Sequence, residues 1–195
     1  MTESTRCSWC GSDPLYVAYH DEEWGVPVTD DQSLFEKLVL DGFQAGLSWI
    51  TILKKRDAFR AAFKNFDPHK VARFRESDVD KLLTNAGIIR SRLKINATIK
   101  NARLWLGIME QGDGAFRDFL WQHVEHRTAF NSRKNLQDIP AATDASTAMA
   151  KALKRAGFSF CGPTICYAFM QAVGMVNDHV ITCPRHKACA KLARR

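Results

Sequence analysis

No stretch of the chain approaches the ~20 consecutive apolar residues that a membrane-spanning helix needs. The opening MTESTRCSWC also has no apolar segment of the kind a secretory leader carries. Both absences point away from a membrane and towards a cytosolic protein, whose thiols are then expected to be mostly reduced. No segment alternates apolar and polar residues with period two, which argues against a sheet-based fold. No internal repeat or low-complexity tract stands out, which argues against a solenoid.

What is present is a helical, core-forming composition. Hydrophobic residues make up 46% of the 195, enough for one ample core or for two small lobes that share one. Lys and Arg outnumber Asp and Glu by 28 to 21, giving a net charge of +7. That excess fits a polyanionic partner, and equally a solvated basic surface with none. Leu34, Phe35, Leu38 and Val39 recur at helical spacing after a capping Thr29 or Asp30. LSWITILKKRDAFRAAF continues the apolar pattern and then turns basic. A further helix is expected from an N-cap at Ser77 to just before Gly87. The stretch after Arg90 is long and amphipathic, with Leu93, Ile95, Ile99, Ala102 and Leu106 roughly on one side. Phe116, Phe119 and Leu120 mark another helix. The expected fold is all-α. The least regular stretch, Arg127–Ala142, reads as a connector between lobes.

Near the C-terminal end, ALKRAGFSFCGPTICYAFMQAVG has a definite shape. One helix ends at Gly157, a short turn follows, and a second helix starts at Pro163, a residue suited to the first helical position. Backbone N–H groups near Gly162 and Thr164 then point outward at a helix N-terminus, which attracts phosphate, and glycine permits close approach. Residues 150–174 thus have the outline of a helix–hairpin–helix DNA-binding element, with Gly162, Pro163 and Thr164 at the contact. Such contacts fix position without reading sequence. An ordinary αα-hairpin with a glycine turn has the same outline.

Two thiol–imidazole clusters lie at opposite ends of the chain. Cys7 and Cys10 stand in C-x-x-C spacing with His20 downstream, and His179 and Cys183 form H-x3-C. A redox couple at Cys7 and Cys10 expects a thioredoxin-like βαβ context, and no strands are visible. A structural zinc needs four ligands, and the H-x3-C pair supplies two. Cys7 and His20 would complete a Cys2His2 set; spacing alone leaves Cys10 as a competitor, and scattered unliganded thiols as an alternative.

Taken together, DPLYVAYHDEEWGVP, DGFQAGLSWITILKKR, NAGIIRSRLKINATIKNA and GFSFCGPTICYAFMQAVGMVNDHV, with the H-x3-C that follows, resemble the DNA-3-methyladenine glycosylase I family of the helix–hairpin–helix glycosylase superfamily. The resemblance runs from about Arg6 to Cys183. It implies one glycosylase unit over residues 1–195, built as one body or as two helical lobes with the base pocket between them. It implies a monofunctional enzyme acting as a monomer on double-stranded DNA that contains 3-methyladenine. It implies a structural zinc on Cys7, His20, His179 and Cys183, with Cys10 a bystander. The family's aromatic base box falls on Trp9, Tyr16, Tyr19, Trp24 and Trp49, although core packing is the commoner use of such residues. Its recognition carboxylate, drawn as Glu in the best-known members, is Asp41 here, one methylene shorter.

The implied chemistry is excision of an extruded base. An N3-methylated adenine is cationic, so its glycosidic bond is already weak and the base leaves neutral. Water is the expected nucleophile, and no lysine is expected to form a Schiff base. Asp178, beside His179, would be flagged by a bare scan for acids, but it reads better as a structural carboxylate. The rival readings are a non-catalytic zinc-stabilised helix–hairpin–helix DNA-binding module and a thiol oxidoreductase. The first has no reason to keep aromatics around Asp41; the second needs Cys7 and Cys10 free of metal.

Overall fold

Side chains written into the sequence decide where the helices start. The computed structural model describes residues 5–193. Among them the helices are α1 (Pro14–Ala18), α2 (Asp31–Gln44), α3 (Trp49–Leu53), α4 (Arg56–Ala62), α5 (Pro68–Val71), α6 (Glu76–Thr84), α7 (Arg92–Met109), α8 (Ala115–Trp121), α9 (Asp144–Arg155), α10 (Pro163–Ala172) and α11 (Pro184–Leu192). Asp13, Asp30, Asp67, Ser91 and Thr143 each accept an N–H from the first turn of the helix they precede. Proline occupies the first turn of α1, α5, α10 and α11, where its missing N–H costs no bond. No helix among the described residues is long and apolar enough to cross a membrane.

The all-α expectation holds with one small departure. Ala129–Phe130 (β1) and Val176–Asn177 (β2) form a parallel pair, Ala129 opposite Val176. Two residues per strand are too few to show any alternation, so no periodicity marks them. Three local expectations also change. The run after Leu47 is two helices, α3 and α4, broken at Lys54–Lys55. At α6 the cap is not Ser77 but Arg75, two residues earlier, and Asp78 in the first turn accepts the Arg75 N–H at 2.9 Å. Leu93 is 76% exposed. It lies two positions, roughly 200°, from Ile95, which is buried together with Ile99 and Ala102. The C-terminal segment is helical through Leu192, and Arg194 and Arg195 lie outside the described residues.

One contiguous apolar core runs through the molecule. α2 lies at its centre, packing on α3, α7, α8 and α10, while α9 and α10 form a closely packed hairpin. Gly174 shows how tightly the C-terminal part closes on the N-terminal part. Its φ is +69°, and a Cβ there would sit 2.5 Å from the backbone of Val26 and Pro27. The Val28 N–H bonds to Val173 C=O across the same seam.

Candidate active site and metal centre

The buried stripe of α2 carries Leu34, Leu38 and then Asp41, so helical spacing that elsewhere points leucines inward here points a carboxylate inward. A cavity of about 350 Å³ opens against it. Its walls include Trp9, Tyr16, Tyr19, Trp24 and Trp49, so all five aromatics singled out from the sequence converge with Asp41. Four come from the N-terminal segment, where Asp13 caps α1, Pro14 opens it, and a π-turn at Tyr19–Glu23 continues it. The rings brace one another: Trp9 meets Tyr16 and Trp24 edge-on at 5.0 Å, and Tyr19 tilts against Trp49 at 5.3 Å.

Asp41 is 2% exposed. Its Oδ1 accepts from Lys37, one helical turn earlier, while its Oδ2 is buried with no partner. Burial pushes the Asp41 carboxyl above the usual carboxylate range, and the Lys37 ammonium draws it part of the way back. Burial likewise lowers the pKa of Lys37, with Asp41 opposing. A buried acceptor facing an aromatic cavity without a donor of its own is a place for a ligand's N–H.

The two thiol–imidazole clusters meet. The ligand atoms of Cys7, His20, His179 and Cys183 all lie within 4.8 Å of one another, and all four residues are buried. His179 Nδ1 is 3.7 Å from both Cys7 Sγ and Cys183 Sγ, and His20 Nε2 is 3.6 Å from Cys183 Sγ. A tetrahedral ion with metal–sulfur and metal–nitrogen bonds of about 2.3 and 2.0 Å requires separations of roughly 3.3–3.8 Å, which these three contacts match. The outer nitrogen of each ring is already engaged, His179 Nε2 with the Trp24 C=O at 2.9 Å and His20 Nδ1 with Asp21 at 2.7 Å. The Cys7 thiol, and beyond it His179 and His20, hold Cys183 well below an ordinary thiol pKa against the effect of burial. Cys10 lies outside the cluster and points its Sγ at the Cys7 C=O, 3.1 Å away.

At the hairpin, Gly162, Pro163 and Thr164 are exposed at the start of α10. Gly162 has an ordinary φ of −68°, and a Cβ there would meet nothing within 4 Å. Neither conformation nor internal packing therefore calls for glycine at this position. The turn is held from α7, where Asn101 accepts the Ser159 N–H and donates to the Ser159 C=O, both at 3.0 Å.

Asp178 is not on the cavity. It is fully buried and accepts from Tyr167 (2.5 Å), Asn131 (2.7 Å), Gln171 (2.8 Å) and Arg133 (3.3 Å). Sequence reasoning missed six further lining residues: Lys37, Gln44, Leu136, Ile139, Ala168 and Gln171. Lys37 and Gln44 sit one turn either side of Asp41 on α2, a spacing that was readable. Leu136 and Ile139 belong to the irregular stretch Arg127–Ala142, which therefore does more than connect.

A family model described as methyladenine glycosylase matches residues 9–186. The chain is 57% identical over 178 residues, 91% of its own length and 95% of the relative's, to "DNA-3-methyladenine glycosylase 1" of Escherichia coli strain K12. Its fold superposes on a crystal structure of 3-methyladenine DNA glycosylase I with a TM-score of 0.90, at 54% identity, covering 92% of this chain and 98% of the other. A tyrosine-to-phenylalanine variant of 3-methyladenine DNA glycosylase I, solved in complex with 3-methyladenine, matches with a TM-score of 0.88 at 37% identity, covering 92% and 96%.

Proposed function

The chain belongs to the methyladenine glycosylase family, and from that premise we infer that it is an enzyme that excises 3-methyladenine from alkylated DNA by hydrolysing the N-glycosidic bond, as in base excision repair. The nucleotide leaves the duplex and its base enters the cavity between Trp9, Tyr16, Tyr19, Trp24 and Trp49, with Asp41 accepting a hydrogen bond from it. The observation that carries this reading is the unpartnered, buried Asp41 Oδ2 inside an aromatic cavity of base-sized volume, about 350 Å³. As the bond breaks, its electron pair passes to the cationic base, which leaves neutral, and positive charge moves to the sugar. Water adds at the sugar carbon and gives up a proton to solvent. A fixed carboxylate close by faces cationic charge throughout, in a site where water competes little.

The hairpin of residues 150–174, through Gly162, Pro163 and Thr164, holds the DNA backbone. The open space around Gly162 supports this: it leaves room for a phosphate against the first N–H groups of α10. Cys7, His20, His179 and Cys183 hold a zinc ion. Bound there, zinc supplies a structural cross-link; four protein ligands leave no position for a reacting water. The enzyme acts as a monomer, in the cytoplasm, as one glycosylase unit with two helical lobes around the cavity.

The test is Asp41→Asn, which keeps size but replaces an acceptor oxygen with a donor. Loss of a charge-assisted hydrogen bond of roughly 1.5–3 kcal/mol should slow single-turnover release of 3-methyladenine from alkylated duplex about 10- to 100-fold. Metal content should be unchanged, while the unfolding midpoint should fall because Lys37 loses its buried counter-ion. Release at the wild-type rate would remove Asp41 from base recognition.

A further inference from the structure

Lys37 is the charged residue of the cavity that an aromatic box for a cationic base does not call for. Its ammonium bonds Asp41 Oδ1 at the i, i+4 spacing and lies 3.8 Å from the centroid of the Trp49 ring. Its side chain keeps 16% exposure and that of Asp41 1%, so solvent does little to screen the pair. Lys37, Tyr19 and Trp49 also form a wall shared with a second cavity of about 320 Å³ behind the first. On that side Arg56 pairs with Glu23 through two bonds and Arg60 with Glu36 at 2.8 Å, while Glu22 lies exposed. Among the described residues, the ion-pair partner of Lys37 is Asp41.

We propose that Lys37 is a positioning residue for the base-recognising carboxylate: its ammonium occupies Oδ1, fixes the carboxylate plane and leaves Oδ2 as the single acceptor offered to the flipped base. This rests on reading the cavity as the base pocket. The pair carries no net charge, so selection for the methylated base depends on one directed lone pair and on ring shape more than on bulk attraction between a cation and a free carboxylate. The shorter side chain at position 41 belongs to the same device. A lysine one turn earlier spans to an aspartate and holds it, and Trp49 beneath the ammonium keeps the lysine from swinging into the space the base needs.

Without the ammonium, Asp41 is a buried carboxylate with no compensating charge, and it takes up a proton at higher pH. The other ionisable groups facing the pair are Tyr16, whose hydroxyl burial pushes upward, Tyr19, Glu23, Arg56 and Cys166. Glu23 and Arg56 compensate each other, and burial pushes the Tyr19 hydroxyl and the Cys166 thiol upward, so both stay neutral across the working range.

The experiment compares wild type with Lys37→Met, which keeps the length of the stem and removes the charge. The first readout is the carboxyl carbon resonance of Asp41, followed by NMR against pH in the free protein. The second is single-turnover release of 3-methyladenine from alkylated duplex over the same range. The Asp41 midpoint and the acid limb of the rate should move up together by about 1–3 pH units in Lys37→Met. The rate should recover at high pH, and Lys37→Arg should return both towards wild type. A purely structural role would lower the rate by the same factor at every pH; that outcome, or superimposable titrations, overturns the proposal. Should Lys37→Met not fold, Lys37→Gln gives the same comparison. Absence of excision by the wild type, or full activity of Asp41→Asn, would overturn the base-pocket reading and this inference with it. Normal behaviour of both with parallel pH profiles would overturn the role of Lys37 alone.

Discussion

Asp41 and Asp178 are both buried, and their surroundings assign them opposite duties. Asp178 accepts from four donors, Tyr167, Asn131, Gln171 and Arg133, which joins the irregular stretch before α9 to α10 and the segment after it. A carboxylate so fully engaged has no lone pair to spare for water activation. Asp178→Asn turns an NH2 group towards those donors, and should cost on the order of 3 kcal/mol in a urea unfolding experiment. Single-turnover excision at a temperature where the variant is folded should fall by less than about 10-fold, whereas loss of a general base would remove about 10²- to 10⁴-fold. A drop of that larger size would make Asp178 part of the chemistry. At this scale the family motif made the aromatic box and Asp41 legible, since each is tied to a short run such as QAGLSW. Lys37 was not legible. A lysine among the leucines of an amphipathic helix reads as part of its solvated edge, and only the inward turn of Asp41 reveals that one edge of α2 borders a cavity.

Among the elements, the α9–α10 hairpin depends on a residue far from it in sequence. Asn101 on α7 holds both backbone groups of Ser159, 58 residues away, and Phe160, held at a positive φ of 58°, packs its Cβ 3.2 Å from where a side chain on Gly42 of α2 would begin. The turn that presents Gly162 is thus positioned from α7 and α2. Asn101→Ala would leave the Ser159 N–H and C=O without partners, a local cost of about 2 kcal/mol. Exchange of the Ser159 amide should accelerate roughly 30-fold. Affinity for undamaged duplex should fall about 10-fold, while binding of free 3-methyladenine, which does not touch this turn, should be unchanged. Equal loss of both would show that Asn101 supports the whole core rather than the hairpin. The punctuation of these helices was readable in advance, Gly157 and Pro163 above all, because capping is local chemistry. The clamp was not, because an asparagine in the middle of a long helix carries no mark of a partner half the chain away. The same reason hid Leu136 and Ile139: the stretch that carries them owes its order to long-range bonds, such as Ile181 N–H to Arg133 C=O and Asn131 to Asp178, and not to periodicity.

Across the whole molecule, the N-terminal and C-terminal segments meet at the cluster of Cys7, His20, His179 and Cys183, with Cys7 and His179 172 positions apart. The aromatic wall is continuous with that cluster. Trp9 stands edge-on to His20 at 5.3 Å, and Trp24 to His179 at 4.5 Å. Two rings of the aromatic cavity therefore rest on two residues of the cluster, so a metal bound there would both cross-link the chain and hold the cavity wall. Closing a loop of this length contributes on the order of 4–5 kcal/mol through the entropy of the unfolded chain. Removal of the metal by a chelator, or Cys183→Ala, should lower stability by about that much. Either should also weaken binding of free 3-methyladenine by about 10-fold or more at a temperature where the protein remains folded, as Trp9 and Trp24 lose their support. Cys10→Ala should retain one zinc per chain by elemental analysis, because the Cys10 Sγ faces the Cys7 C=O and not the other ligands. Loss of zinc from Cys10→Ala would change the ligand set. A metal-free protein that binds the base with unchanged affinity would mean that the apolar core alone holds the aromatic wall, and that the metal governs stability without reaching the site.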